Sequence, residues 1–244
     1  MQWAAVDTAW VNFNGWTSGV LAAVSRGSPD EQQRRAALEG YYGRGDTAGV
    51  RELWHRQTDP PRDPSELALA ADVEADAGAD AALPLISHLR AYQPAEADVI
   101  LAGFFLKRQQ YDMAASALER AFNRLRDDPW PLLAFKDKAL RLAGVLGSQQ
   151  PALARRLIAA LRQPFALNAV SDERLATVID LARVDFPALC RAPISELEPH
   201  VIWSEPVLRA RGECYAVTHD SRQRIAARDL DDFLAHESQP LIIH

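Results

Sequence analysis

The chain has 244 residues, 48% hydrophobic and 25% charged, a balance that suits a folded globular protein and excludes a disordered one. Its formal net charge of -6 offers no cationic footprint for a phosphate backbone, so nucleic acid is not an expected partner. The two cysteines, Cys190 and Cys214, lie in no C-x-x-C pair, and two thiols cannot make a disulfide framework, which points to a reducing compartment.

Residues 1–27 form a Trp-rich segment in which Trp3, Trp10, Phe13 and Trp16 crowd together. Such rings bury large areas when packed, so this segment is expected to dock on the first helices or to meet a neighbouring domain. Asp7 falls early and no basic stretch precedes the apolar part, which argues against an export signal. "GWTSG" (15–19) places its serine one position too late for a nucleophile elbow.

Residues 28–244 read as an α-helical repeat domain of about six helix-pair units, the last ones irregular. Strand signals are nearly absent, with no Asn-Gly or Asp-Gly hairpin turn. Ser28-Pro29-Asp30-Glu31, Asp63-Pro64-Ser65-Glu66 and Gln93-Pro94-Ala95-Glu96 each offer a cap, a proline and a glutamate in the order that opens a helix. Asp128-Pro129 keeps the cap and proline; Gln163-Pro164 and Glu198-Pro199 keep the proline. These X-Pro sites recur at a period of about 34 residues.

"AALEGYY" (36–42) reads as the end of a helix, and the following Arg44-Gly45-Asp46 as an inter-helix hinge. Gly43 and Gly45 would let the chain turn, and Asp46 would cap a helix beginning near Thr47. An adhesion role for this RGD tripeptide needs a secreted protein, and a phosphate loop needs a preceding strand and more glycines; neither fits.

Second-helix spacing appears at Thr47, Val50 and Trp54, at Asp80, Leu83 and Ser87, at Tyr111, Ala114, Leu118 and Ala121, and at Ala154, Ile158 and Leu161. In "DMAASALERAFNRLR" (112–126), Met113, Ala114, Ala117, Leu118, Ala121, Phe122 and Leu125 share one face. Leu101, Ala102 and Phe105 fall where a first helix packs. Trp54, Trp130 and Trp203 recur at loop or helix ends, where packing between units would hold them. The longest apolar run, "VILAGFFL" (99–106), is far short of the roughly 20 residues of a spanning helix, so no membrane insertion is expected.

The pattern predicts an all-α fold, a tetratricopeptide-like superhelix of antiparallel helix pairs whose inner surface is lined by the first helix of each pair. By repeat position, Arg35, Glu39, Tyr42, Asp72, Asp76 and Lys107 are the exposed inner-face candidates for holding a partner. Their alternating signs select no single ligand. The six histidines are scattered without a metal-binding spacing, so no metal or cofactor is expected. Cys214 with His219 and Asp220 suggests a thiol site, but a buried Cys214 in the helix "EPVLRARGECYAV", a turn at His219-Asp220 and a following helix "SRQRIAARDLDDFL" explain the residues more simply.

The segments "DPSELALAADVEADAGADAALPLISHLRAYQPAEADVILAGFFLKRQQYDMAASALERAF", "DDPWPLLAFKDKAL", "PALARRLIAAL", "QPFALNAVSDERL" and "LEPHVIWSEPVLRARGECY" resemble the C-terminal helical-repeat region of certain bacterial spermidine-synthase-like proteins. In that family a transporter-like membrane half is fused to an aminopropyltransferase-like domain, followed by tetratricopeptide-type helices. The resemblance implies a non-catalytic repeat module, cytoplasmic or the cytoplasmic part of a membrane-associated protein, with its Trp-rich N-terminus facing a catalytic domain. It carries no catalytic residue onto this chain, which has no strand followed by a Gly-rich nucleoside loop. The expected partner is a protein segment or neighbouring domain laid along the inner groove. A small all-α enzyme using Glu39, Asp72 and His88 in that groove, or a purely structural dimerisation unit, are the competing expectations.

Overall fold

In the computed structural model, residues 31–61, 63–167 and 171–237 are described, and all regular structure among them is helical. The expected boundary at residues 27 and 28, and Trp3, Trp10, Phe13 and Trp16, lie outside the described residues. Contacts divide the chain into two compact units, Met1–Gln110 and Tyr111–His244.

The first unit contains α1 (Glu31–Gly43), α2 (Thr47–Arg56), α3 (Pro64–Asp76), α4 (Ala82–Leu89) and α5 (Pro94–Lys107). Short connections reverse the chain between them, so each helix packs on the next. α3 also packs on α5. The hinge after α1 forms as its residues predict, with one correction. Gly45 alone turns left-handed (φ +72°), whereas Gly43 is the last residue of α1. Asp46 then caps α2, its Oδ1 accepting the Gly49 N–H at 2.9 Å.

A Cβ at Gly45 would meet nothing within 4 Å, so any cost of substitution there comes from the backbone conformation. Gly45→Val is expected to lose about 1–2 kcal/mol of stability in urea unfolding, Gly45→Asn less, because asparagine tolerates the left-handed region. No loss in the valine variant would refute the hinge.

α3 opens as the Asp-Pro signal predicts: Asp63 Oδ1 accepts the N–H groups of Ser65 at 2.8 Å and Glu66 at 3.0 Å. Every residue from Leu67 to Ala75 is buried, as are most of Ala95–Phe104 on α5. A helix buried all round is surrounded by other helices, and α3 indeed touches α2, α4 and α5. α2 and α4 bury one side only. In α4 the buried residues are Ala82, Ile86 and Leu89, while Leu83 is exposed, so the spacing from Asp80 through Leu83 to Ser87 missed the packed face.

The second unit runs through α6 (Tyr111–Leu125), α7 (Leu133–Gln149), α8 (Pro151–Leu161), α9 (Ser171–Ala182), α10 (Phe186–Leu189), α11 (Arg191–Leu197), α12 (Glu205–Val217) and α13 (Gln223–Glu237). Three-residue 3-10 turns precede α10 and follow α11. α6 packs on α7 and α8, and α7 on α8 and α9, which repeats the packing of α3 on α4 and α5. The predicted face of α6 is buried except for Met113, which is half exposed. Ala154, Ile158 and Leu161 are likewise buried on α8.

The X-Pro markers lose their meaning in this unit. Asp128 uses its carboxylate on the Trp130 N–H at 2.9 Å, making a tight turn, and α7 waits until Leu133, beyond Pro131. Gln163-Pro164 opens no helix. Glu198-Pro199 makes only a 3-10 turn, and α12 begins at Glu205.

Candidate functional site

In the first unit three of the expected groove residues, Arg35, Tyr42 and Asp72, meet partners on neighbouring elements. Tyr42 Oη, near the end of α1, donates to Asp72 Oδ2 on α3 at 2.8 Å. Arg35 pairs with Glu66 and donates to the Pro60 carbonyl at 3.0 Å, while Gln57 Nε2 reaches Glu66 Oε1 at 3.0 Å. Arg51 Nε lies 3.2 Å from both oxygens of Glu74, and His55 Nε2 lies 2.5 Å from Oε1. Arg90 Nη2 sits 3.0 Å from Asp98 Oδ1.

The acids thus sit on the surrounded helices α3 and α5, and their partners come from neighbouring elements. Asp72 is only 2% exposed, which corrects its expected place on an open surface: position 72 lies on a helix buried on every side. Glu39 and Lys107 are exposed and Asp76 is half-buried. The stem of Lys107 covers Gly78, where an added Cβ would lie 3.2 Å from Lys107 Cγ. His88, grouped with Glu39 and Asp72 as acid–base candidates, is exposed on α4 with its ring 5.7 Å from that of Tyr92. This arrangement clasps helix to helix, and it spends carboxylates and cations on packing.

The second unit holds a polar network the sequence did not reveal. Arg211, on α12 and 3% exposed, donates from Nε to Glu198 Oε1 at 2.8 Å and from Nη2 to Glu198 Oε2 at 3.3 Å, and it also pairs with Asp229 of α13. Tyr215, one turn further along α12, donates its hydroxyl to the same Glu198. Burial would raise the Glu198 pKa, but hydrogen bonds from Arg211 and Tyr215, with the charges of Arg211 and Arg222, outweigh it and hold the carboxyl below its ordinary value. Burial, reinforced by Glu198, pushes the Tyr215 phenol up to about 12. Asp220 takes both Arg222 Nε at 2.9 Å and Nη2 at 2.8 Å, and it closes the turn at His219, whose φ is +53°.

Cys190 and Cys214 are joined as a disulfide across 24 residues of sequence. This corrects the reading of two separate thiols. The helix from Glu205 and the turn at His219-Asp220 are as predicted, but Cys214 is a covalent anchor, with both half-cystines fully buried.

Two tryptophans also depart from expectation. Trp130 is 88% exposed and Trp203 57%, whereas Trp54 packs against the core of Ala37, Leu38, Val50, Leu53, Leu69 and Val73. The sequence held the signal for Trp130: between Pro129 and Pro131 it has no helix face on which to pack. Its N–H is pinned by Asp128, so the ring projects from a fixed turn.

These features define an all-α protein of packed helical hairpins with ionic clasps between helices, one covalent anchor and a projecting tryptophan. No family model matches the chain, no curated protein matches its sequence, and no solved structure matches its fold. The spermidine-synthase-like resemblance therefore rests on the sequence segments alone. Among the described residues no helix is long and apolar enough to cross a membrane.

Proposed function

We propose that this chain is a non-catalytic, tetratricopeptide-like module that binds a protein segment or a neighbouring domain, accessory to a spermidine-synthase-like enzyme. The observation that carries the binding role is Trp130, held 88% exposed on a turn braced by Asp128. A large rigid ring in water gains most by entering a partner's pocket, and tryptophan is among the residues enriched at interface hot spots. The packing of α3, α6 and α7 each on the next helix and the next but one supports the repeat geometry. The pairing of Asp72 with Tyr42 weighs against its use as a general base.

A cytoplasmic location sits poorly with the buried disulfide, because a reducing compartment keeps such pairs as thiols. Alkylation of the protein on lysis, before air can act, distinguishes the two states.

Co-expression with an aminopropyltransferase-like enzyme from the same genome, followed by capture of the enzyme, tests the reading. The wild-type chain should be retained, and Trp130→Ala should weaken retention by about thirtyfold, the effect of losing an anchor worth some 2 kcal/mol. An exposed site predicts a stability change within about 0.5 kcal/mol for the same variant. Failure of the wild type to bind defeats the accessory role; equal binding by Trp130→Ala defeats the assigned anchor.

A further inference from the structure

The end of the second unit is built from pieces too short to hold themselves. α10 has 4 residues and α11 has 7, and helices of that length are unstable alone. Two links fix them to α12. Cys190, at the joint between α10 and α11, is bonded to Cys214; Glu198, just past α11, receives Arg211 and Tyr215. The covalent link and the polar network thus grip opposite ends of α11 from one stretch of one helix. α13 has Ala226 alone fully buried among its described residues, and it rests on α12 and on the Arg211–Asp229 pair. Apart from the packing of α11 on α9 and the Arg174–Glu196 pair between them, whatever loosens α12 therefore loosens everything from α10 onward.

We propose that Cys190–Cys214 is a redox-controlled clasp, opened by a dithiol reductant, that sets whether α10–α13 are ordered. A thiolate of the reductant attacks one protein sulfur and expels the other as a thiolate. The second reductant thiol then resolves the mixed disulfide. The S–S bond of the protein is replaced by one in the reductant, and two electrons and two protons pass to Cys190 and Cys214. Since both sulfurs are fully buried, attack must follow local opening of α10 and α11. Once reduced, the segment no longer has its ends tied across 24 residues, and its opening equilibrium shifts by a factor on the order of a hundred.

Hydrogen–deuterium exchange on the full chain, air-oxidised and then in excess dithiothreitol, tests this. Peptides covering 186–217 should exchange on the order of a hundredfold faster when reduced, peptides from α6 should be unchanged, and reoxidation should restore protection. The double variant Cys190→Ser, Cys214→Ser should show the reduced pattern whether or not dithiothreitol is present. Equal exchange in the two states of the wild type, two free thiols in the air-oxidised chain, or an equal response of the double variant to dithiothreitol would each overturn the proposal.

Discussion

Replacing Arg211 with leucine is expected to lower the unfolding free energy by about 3 kcal/mol, because it strands two carboxylates that the guanidinium now pairs. Glu198 and Asp229 keep 22% and 24% of their side-chain surface exposed, which places the loss at the lower end of the range for a broken buried pair. The pH dependence has a fixed sign. Glu198 has its folded pKa depressed, so its contribution is present above its ordinary value of 4.5 and fades as pH falls through the folded value. The penalty of Arg211→Leu should shrink over that acid range, since protonated carboxyls no longer need the cation. Tyr215 has the opposite sense: its phenol is raised from 10.0 to about 12, so its contribution is complete below pH 10 and is lost between there and about 12. Tyr215→Phe should remove that alkaline loss. Urea unfolding across pH measures both, and a penalty for Arg211→Leu that is small or independent of pH would show the network to be a bystander.

How much of this was legible follows from which forces act locally. Asp63-Pro64 and "EPVLRARGECYAV" announced their helices because caps and apolar spacing are properties of adjacent residues. The buried carboxylates were harder to see. Position 72 looks like any surface aspartate until the run "LALAADVEA" is recognised as apolar on all sides, the mark of a surrounded helix. The disulfide and the Glu198 network were not legible at all. Both depend on the chain doubling back through α10 and α11, and nothing in a separation of 24 residues states that Cys190 will meet Cys214. The period of about 34 residues misled in the second unit because proline marks a helix start only where the following residues are free to continue it. Pro131 blocks that at one site.

At Gln163-Pro164 the obstacle is tertiary, and it leads to the second large effect. Phe122 on α6 is fully buried, with its ring stacked on Phe165 at a centroid distance of 5.9 Å and an interplanar angle of 21°. The next residue, Ala166, donates its N–H to the Leu125 carbonyl at 3.0 Å, satisfying one of the carbonyls left open at the end of α6. Arg126, just past α6, reaches the Ala160 carbonyl near the end of α8. The chain after Pro164 is thus held against the end of α6 and cannot begin a helix there. Phe122→Ala should cost about 3–5 kcal/mol, and Phe122→Leu appreciably less, since leucine refills part of the cavity. The distinguishing sign is local: in the alanine variant the Ala166 amide should exchange faster relative to amides in the middle of α7, because Phe165 loses the ring that pins it. If stability falls while the Ala166 amide keeps its relative protection, the stacked pair does not hold the loop, and the missing helix at Pro164 needs another cause.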